Sequence, residues 1–447
     1  MSTTLYRARA LDVPSGPLGG AVLRADEDLA LLVADGVITR RGPWTEVSRA
    51  PEASDAVVQD LRAGLLLPGF VDTHVHFPQV RAIGGLGRPL LQWLETCALP
   101  EEARMAEPAY AAAVAEELLA GLAAAGTTTA LVFGAHFSDA VETLFTAAER
   151  SGLRITAGLV VGDRNLRADL HTDPATAYEE GLALAQRWHG RGRLRYAVTP
   201  RFSFATTDEM LASCAALVDA APGVRFTSHL NENVREVAAV AELFPQAGDY
   251  LDTYDRHGLL TPRSVLAHNV HPTDAELARL AASGTSVAHC PTSNASLGSG
   301  LFPMRRHVEV GVEVALGSDV GGGTGFCLLK EGLQAYFAQQ LLGAAGLPLT
   351  AADVLHLATA AGARALGLAE VGHLSEGMAF DAVLLQPPTG TTLEAVLRHA
   401  HDADDALAKI FALGTPGDIA SVWVGGEMVN RHTATPTTPM VPLTTLS

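Results

Sequence analysis

The chain has 447 residues, 48% of them hydrophobic, which is enough to bury a large core and to form one large domain beside a smaller one. Its 49 acidic and 31 basic residues give a formal net charge of −18. This charge argues against nucleic acid or an anionic membrane as the main partner, because both are themselves negatively charged.

The cysteines and the N-terminus indicate the compartment. Four widely spaced cysteines without a C-x-x-C pair argue against a disulfide framework or a cysteine-rich zinc module. The first 16 residues lack the apolar run of a secretory signal, and no stretch has the uninterrupted apolar length of a membrane helix. We therefore expect a soluble, cytoplasmic protein.

In chain order, residues 1–66 contain two β-like runs, 4–13 and 29–42, separated by Gly and Pro. From there on, short apolar runs alternate with Ala- and Leu-rich stretches of helical period, such as 107–125 and 208–221. A capping box at Thr273 and Glu276 predicts the start of another helix. The strand candidates are 64–76, 127–136, 154–163, 193–202, 224–232, 264–271, 285–294 and 312–321. Eight strand–helix units in order predict a (β/α)₈ TIM barrel of the α/β class.

The chain returns to β-like runs after Gly367. Residues 380–386 and 421–430 have strand character, and the second run contains a Gly-Gly turn signal. We therefore predict that residues 67–367 form the barrel. Segments 1–66 and 368–447 are predicted to pair as a small flanking β-sandwich domain built from both termini, ending in a loosely held tail at 432–447.

Polar residues concentrate where the predicted barrel strands end, which is where the active site of such a barrel forms. Random placement would scatter histidines over helices and loops, but here they follow the strands. The residues are His74, His76 and Gln79 after strand one, Arg201 and Phe202 after strand four, His229 and Glu232 after strand five, His268 after strand six, His289 after strand seven, and Asp319 after strand eight.

Two of these histidines form an H-x-H motif at the end of the first predicted barrel strand. His74 and His76 are two residues apart on a strand, so both side chains point to the same face. Together with His229 and Asp319 they form an N₃O set that suits zinc or ferrous iron. A single strand histidine is more often a packed core or surface residue. The convergence of three histidines and an aspartate favours a metal site.

The remaining histidines are assigned separately. His268 is expected in the site, where hydrogen bonding to a metal-bound water and direct ligation both remain open. His289 is equally compatible with supporting the site and with structural packing. We expect His136, His271 and His373 to be structural or solvent-facing.

Several motifs in the same order resemble a known family. "LPGFVDTHVH", "SHLNEN", "LAHNVH", "AHCPTSN" and "LGSDVGGG" are similar to the amidohydrolase superfamily, in its aminohydrolase (deaminase) branch. "HVHFPQ", "WLETCALPEE" and "TPRFSFA" are most similar to the guanine-specific members of that branch. The resemblance extends from about Leu65 to Gly367.

The resemblance implies a zinc-dependent hydrolase that releases ammonia from guanine and leaves xanthine, and it also implies a homodimer. The alternatives are a related enzyme for another purine such as 8-oxoguanine, a pterin or a triazine, and a non-catalytic barrel, which should have lost ligands. Two-metal members commonly use a carbamylated lysine on strand four. The only lysines here, Lys330 and Lys409, both follow Asp319, so one metal ion, zinc or Fe²⁺, is expected.

The resemblance also implies residue roles. Glu232 is the expected proton shuttle, although an acidic residue at a helix N-terminus is its structural alternative. Asp319 is expected to accept the proton of the attacking water, and His268 to orient that water. Substrate contacts are expected from Gln79, Arg201, Phe202, His229, Glu232, His268 and Asp319.

Recognition is expected to follow donor and acceptor chemistry. Arg201 can only donate hydrogen bonds, which suits guanine O6, whereas its structural alternative is an ion pair at the barrel rim. Gln79 both donates and accepts, which suits the N1/N3 side of the base. Phe202 is expected to stack on the ring or to pack in the core. Residues 93–97 are expected to belong to a lid over the site.

Overall fold

The first strands of the chain belong to one sheet. The computed structural model describes residues 3–431, so the tail predicted at 432–447 lies outside the described residues. The four N-terminal strands are β1 (Thr3–Ser15), β2 (Val22–Ala34), β3 (Val37–Pro43) and β4 (Val57–Pro68).

The barrel strands follow, and all of their pairings are parallel. They are β5 (Phe70–His76), β6 (Thr127–Phe133), β7 (Arg154–Gly158), β8 (Val160–Val161), β9 (Leu194–Pro200), β10 (Arg225–Leu230), β11 (Ser264–His268), β12 (Ser286–His289) and β13 (Val314–Leu316). The sheet order is β13-β12-β11-β10-β9-β7-β6-β5. The two-residue strand β8 directly follows β7, the third strand of the barrel, and like β7 it pairs with β9. The (β/α)₈ fold class predicted from the sequence is therefore confirmed.

Hydrogen bonds between the first and last strands bring the barrel close to closure. The Asp319 N–H donates to the His74 carbonyl at 2.8 Å, and the His76 N–H donates to the Val320 carbonyl at 3.0 Å. The Thr73 hydroxyl donates to the Leu316 carbonyl at 2.8 Å. These bonds place the end of strand eight directly beside the H-x-H motif.

The helices cover the barrel and connect its strands. The predicted helix 107–125 is observed as Pro108–Ala124 and the predicted helix 208–221 as Asp208–Ala220, and Thr273 and Glu276 form the predicted capping box. Within residues 3–431 no helix is both long and apolar enough to cross a bilayer. The α-helices are α1 (Trp44–Val47), α2 (Leu90–Trp93), α3 (Leu99–Arg104), α4 (Pro108–Ala124), α5 (Ser138–Ser151), α6 (Pro174–Trp188), α7 (Asp208–Ala220), α8 (Val234–Leu243), α9 (Asp252–Asp255), α10 (Asp274–Ser283), α11 (Pro291–Ser296), α12 (Met304–Glu309), α13 (Leu328–Leu341), α14 (Ala351–Ala358), α15 (Ala360–Ala365), α16 (Thr392–Leu397) and α17 (Ala403–Leu413).

Strands from the two ends of the described chain form one seven-stranded mixed sheet. The last strands are β14 (Ala382–Leu385), β15 (Ile419–Val424) and β16 (Glu427–Arg431), and the order is β16-β15-β14-β4-β1-β2-β3. Only β1 and β4 pair in parallel. Gly425 and Gly426 turn between β15 and β16 with φ of 54° and 76°, which glycine adopts without steric cost.

An aromatic cluster fixes this sheet, and its truncation gives a stability prediction. Phe380 is fully buried and stacks on Tyr6 with ring centroids 4.3 Å apart, while Trp423 packs against both. We expect Phe380→Ala to lower the free energy of unfolding by about 3–5 kcal/mol, because it leaves a cavity. Chemical denaturation followed by circular dichroism measures the change. The control Val310→Ala, at a side chain that is 45% exposed, should change it by less than about 0.5 kcal/mol.

Candidate active site

Four side chains meet where the barrel strands end. The His76 Nε2 atom lies 3.2 Å from the Nε2 atoms of both His74 and His229. The Asp319 Oδ1 atom lies 3.3 Å from the Nε2 atoms of His74 and His76. The structure therefore brings together the four residues that the sequence predicted as metal ligands.

The chemistry of this cluster fits a bound cation. The protonated Nδ1 of His229 donates to the Arg201 carbonyl at 2.5 Å, which leaves the lone pair of its Nε2 facing the cluster. Burial lowers the pKa of His74 and His229, and lowers the pKa of His76 to about 4, so all three imidazoles are neutral at pH 7. Neutral imidazoles and a carboxylate aimed at one point are a donor set for a divalent metal ion.

An aromatic ring packs against these imidazoles. Phe133, at the end of β6, has its centroid 4.9 Å from that of His74 and 4.7 Å from those of His76 and His229. The ring is fully buried, so it excludes water from one side of the cluster and limits rotation of the imidazoles. This residue could not be identified from the sequence, because a phenylalanine at a strand end carries no distinctive pattern.

His268 lies beside the cluster. Its Nδ1 donates to the Asn294 Oδ1 at 3.0 Å, so the unprotonated Nε2 is directed toward the site. That Nε2 lies 3.8 Å from Asp319 Oδ2 and 3.7 Å from Glu232 Oε2, and it has no hydrogen-bond partner among the described residues. The backbone of His268 (φ 71°) and that of Asp319 (φ 47°) are left-handed, a strain that the surrounding structure must maintain.

Glu232 is a buried carboxyl group in the same cavity. Burial raises the pKa of Glu232 well above its ordinary value, and the Asp319 carboxylate raises it further, while Ser299 and Arg201 act in the opposite direction. The Ser299 hydroxyl donates to Glu232 Oε1 at 3.4 Å. Glu232 precedes α8, where Asn233 is the N-cap. The carboxyl group itself is directed toward His268 and Asp319 rather than toward the helix N-terminus.

The cavity has a polar wall and an apolar wall, and its space free of protein atoms, including the part open to solvent, is about 330 Å³. It is lined by His76, Gln79, Leu90, Trp93, Leu94, Arg201, Phe202, His229, Glu232, His268, Leu297 and Asp319. Every predicted site residue except His74 lines it, and His74 is fully buried behind it.

A buried acid that the sequence analysis did not single out joins two residues of the polar wall. The Glu102 carboxylate accepts from Gln79 Nε2 at 2.7 Å and from Arg201 Nη1 at 2.6 and 2.7 Å. Arg201 is thus ion-paired inside the pocket rather than at the rim. Glu102 belongs to the "WLETCALPEE" motif, which was the available signal, but an acid on a short helix normally faces water.

The other histidines lie outside the cavity lining. His289 is buried and stacks on Phe302 with centroids 4.3 Å apart, which agrees with structural packing. His271 contacts the Ser299 carbonyl at 2.7 Å. His136 is buried, with its Nε2 3.2 Å from Glu102 Oε2, so it does not face solvent.

Comparison with known proteins defines the class to which the fold and the site belong. The family model described as the amidohydrolase family matches residues 65–429, and the chain belongs to that family. It is 58% identical to a probable guanine deaminase of Deinococcus radiodurans over 95% of this chain and 98% of the relative.

Solved structures agree with this placement. Guanine deaminase of E. coli superposes with a TM-score of 0.91 at 35% identity, over 97% of this chain and all of that one. Guanine deaminase of C. acetobutylicum, solved with guanine bound in its active site, gives a TM-score of 0.88 at 25% identity, over 96% of this chain and all of that one.

Proposed function

We propose that this protein is a guanine deaminase, which hydrolyses guanine to xanthine and ammonia. The observation that carries the proposal is the guanidinium of Arg201, buried in the same small cavity as the His/Asp cluster and Glu232. Such a cavity offers hydrogen-bond donors to a purine carbonyl within reach of groups that can add water. The names of the relatives support the same substrate.

The proposed metal ion is one zinc per subunit, held by His74, His76, His229 and Asp319, and ferrous iron suits the same donors. When bound, such an ion makes water nucleophilic at neutral pH and polarises the substrate. His268 completes the environment by orienting the attacking water or by ligation, since its Nε2 faces the cluster.

The proposed proton transfers use two carboxyl groups. Asp319 accepts the proton of the attacking water, because its carboxylate lies among the donor nitrogens. Glu232 retains a proton at a pH where an exposed glutamate has lost it, so it can protonate guanine N3 and make C2 electrophilic. The oxygen of the attacking water bonds to C2, and Glu232 takes the proton of the new C2 hydroxyl and delivers it to the departing amine. The C2–N bond breaks, ammonia leaves and xanthine remains.

The proposed recognition uses the polar wall. Arg201 donates to guanine O6, an atom that arginine also contacts in DNA, whereas adenine presents a donor there. Gln79 faces the N1/N3 side of the base. Phe202 is buried, with its ring 5.9 Å from that of His229, which is compatible with an edge or face contact to the purine. Trp93 and Leu94, from the predicted lid segment, line the apolar wall.

The assembly and the location are further proposals. We propose a cytoplasmic homodimer with the barrel at 67–367, flanked by the paired segments 1–66 and 368–447. Exposed Tyr336, Phe337 and Leu341 on α13 offer an apolar surface for the partner copy. Light scattering coupled to size-exclusion chromatography measures the assembly, and a monomer at working concentrations would contradict it.

A substrate panel on metal-quantified protein tests the activity. Ammonia release is measured from guanine, 8-oxoguanine, pterin and ammeline, with zinc and iron content determined on the same sample. Guanine is expected to give the highest kcat/KM. Turnover of another ring without guanine would contradict the substrate and keep the metal site, whereas no turnover at full metal content would favour a non-catalytic barrel.

Substitution of Arg201 tests recognition separately. Arg201→Ala is expected to lower kcat/KM for guanine by about 10- to 150-fold, mainly through KM, because it removes a charged hydrogen bond worth about 1.5–3 kcal/mol. Steady-state kinetics at matched metal content measures the change. Unchanged kinetics would place Arg201 outside the recognition of the substrate.

A further inference from the structure

Glu102 is the only acid that contacts both polar residues of the recognition wall within residues 3–431. It lies on α3, Gln79 lies on the turn after β5, and Arg201 directly follows β9. All three side chains are at most 3% exposed. One carboxylate therefore links three separate elements of the chain at the back of the cavity.

The bonds to Glu102 determine which atoms remain free. The two hydrogen bonds that Glu102 accepts from Arg201 both come from Nη1, which leaves the donors on Nη2 and Nε for a ligand. Gln79 donates to Glu102 through Nε2, while its Oε1 accepts from the Gly321 N–H at 3.3 Å. Rotating this amide by half a turn would place its oxygen against the Glu102 carboxylate. Glu102 therefore fixes the direction of the amide.

The charges in the wall support this arrangement. Burial by itself would raise the pKa of Glu102, but the Arg201 guanidinium and the adjacent His136 lower it well below its ordinary value, so the carboxylate is ionised. The ion pair offsets the cost of burying the Arg201 charge. Because the negative charge of Glu102 balances the positive charge of Arg201, the wall offers hydrogen-bond donors without a net charge, which suits a neutral base.

We propose that Glu102 is a positioning residue that holds the free donors of Arg201 toward the oxygen at C6 of the purine and thereby sets the preference for 6-oxopurines. The inference rests on the proposed function. Glu102 does not line the cavity, so it acts through Arg201 and Gln79 rather than by touching the substrate.

The experiment compares Glu102→Gln with the wild type on guanine and on 2-aminopurine, which lacks the oxygen at C6. We expect kcat/KM for guanine to fall about 10- to 100-fold, mostly through KM, as for a misplaced charged hydrogen bond. The value for 2-aminopurine should change less than about threefold. Where 2-aminopurine is not turned over, its inhibition constant against guanine replaces kcat/KM. An equal fall for both compounds, or no fall for either, would overturn the inference.

A double-mutant cycle provides a second measurement that needs guanine alone. If Glu102 acts through Arg201, the effect of Glu102→Gln should vanish or reverse in an Arg201→Ala background, where the acid has lost its cation. Independent, multiplying effects would contradict the positioning role. Glu102→Asp keeps the charge but withdraws it by one methylene, and it serves as the second variant if Glu102→Gln does not fold.

The control is Glu331→Gln, at another buried acid of the barrel that accepts from Thr292 and does not line the cavity. It should leave both compounds unchanged. Metal content and melting temperature are measured on every variant. A wild type that releases no ammonia from guanine would contradict the proposed function. An active wild type whose Glu102→Gln variant keeps its preference would contradict the positioning role alone.

Discussion

Glu232→Gln is expected to reduce kcat for guanine by about 10²- to 10⁴-fold while the metal content stays unchanged, because positioned proton transfer contributes a factor of that size. Glutamine matches the shape of the protonated carboxyl group but cannot release a proton and take one back. Glu232 also lies outside the four-donor cluster, so its substitution leaves those ligands in place. Single-turnover kinetics with metal analysis measures the effect.

The variant also distinguishes catalysis from a structural role at the start of α8. The N–H groups of Glu232 and Asn233 are already bonded to the Glu236 side chain, and Asn233 caps the helix. A structural role for the Glu232 carboxyl would therefore appear as lost metal or a lower melting temperature. Retained activity, or loss of metal together with activity, would contradict the proton shuttle.

The barrel could be predicted from the sequence because its signals are local. A strand of β-branched and apolar residues ends in His74 and His76, and the two-residue period alone places both imidazoles on one face. In a barrel of eight parallel strands, the C-terminal ends of all the strands lie on the same face. His229 and Asp319 could be assigned to the same site from this topology, without any measured distance.

The supporting residues could not be predicted, because their roles depend on contacts between distant elements. Glu102 follows a glutamate on a six-residue helix, and nothing in that pattern distinguishes a buried acid from an exposed one. Asn294 orients His268 across 26 residues, and Phe133 packs on two imidazoles from β5 and one from β10. Such partners become visible only once the packing is known.

Loss of one metal ligand is the other change with a large expected effect. We expect His76→Asn to reduce the metal content from one ion per subunit to almost none and to lower kcat/KM for guanine by roughly a thousandfold or more, because the ion contributes several kcal/mol to the transition state. Elemental analysis and steady-state kinetics measure the two losses. The control His373→Asn, at a histidine outside the cavity lining, should retain both metal and activity.

The same measurements on His268→Asn decide which donors hold the ion. Residues 3–431 contain two overlapping groups of three candidate ligands, one formed by His74, His76 and His229, the other by His74, His268 and Asp319. If His268 only orients the water, its variant should keep the full metal content and lose turnover. If it ligates, metal affinity should fall as it does for His76→Asn. If His76→Asn retains its metal and His268→Asn loses it, the ion is held by the second group. That result would contradict the assignment of His76 as a ligand.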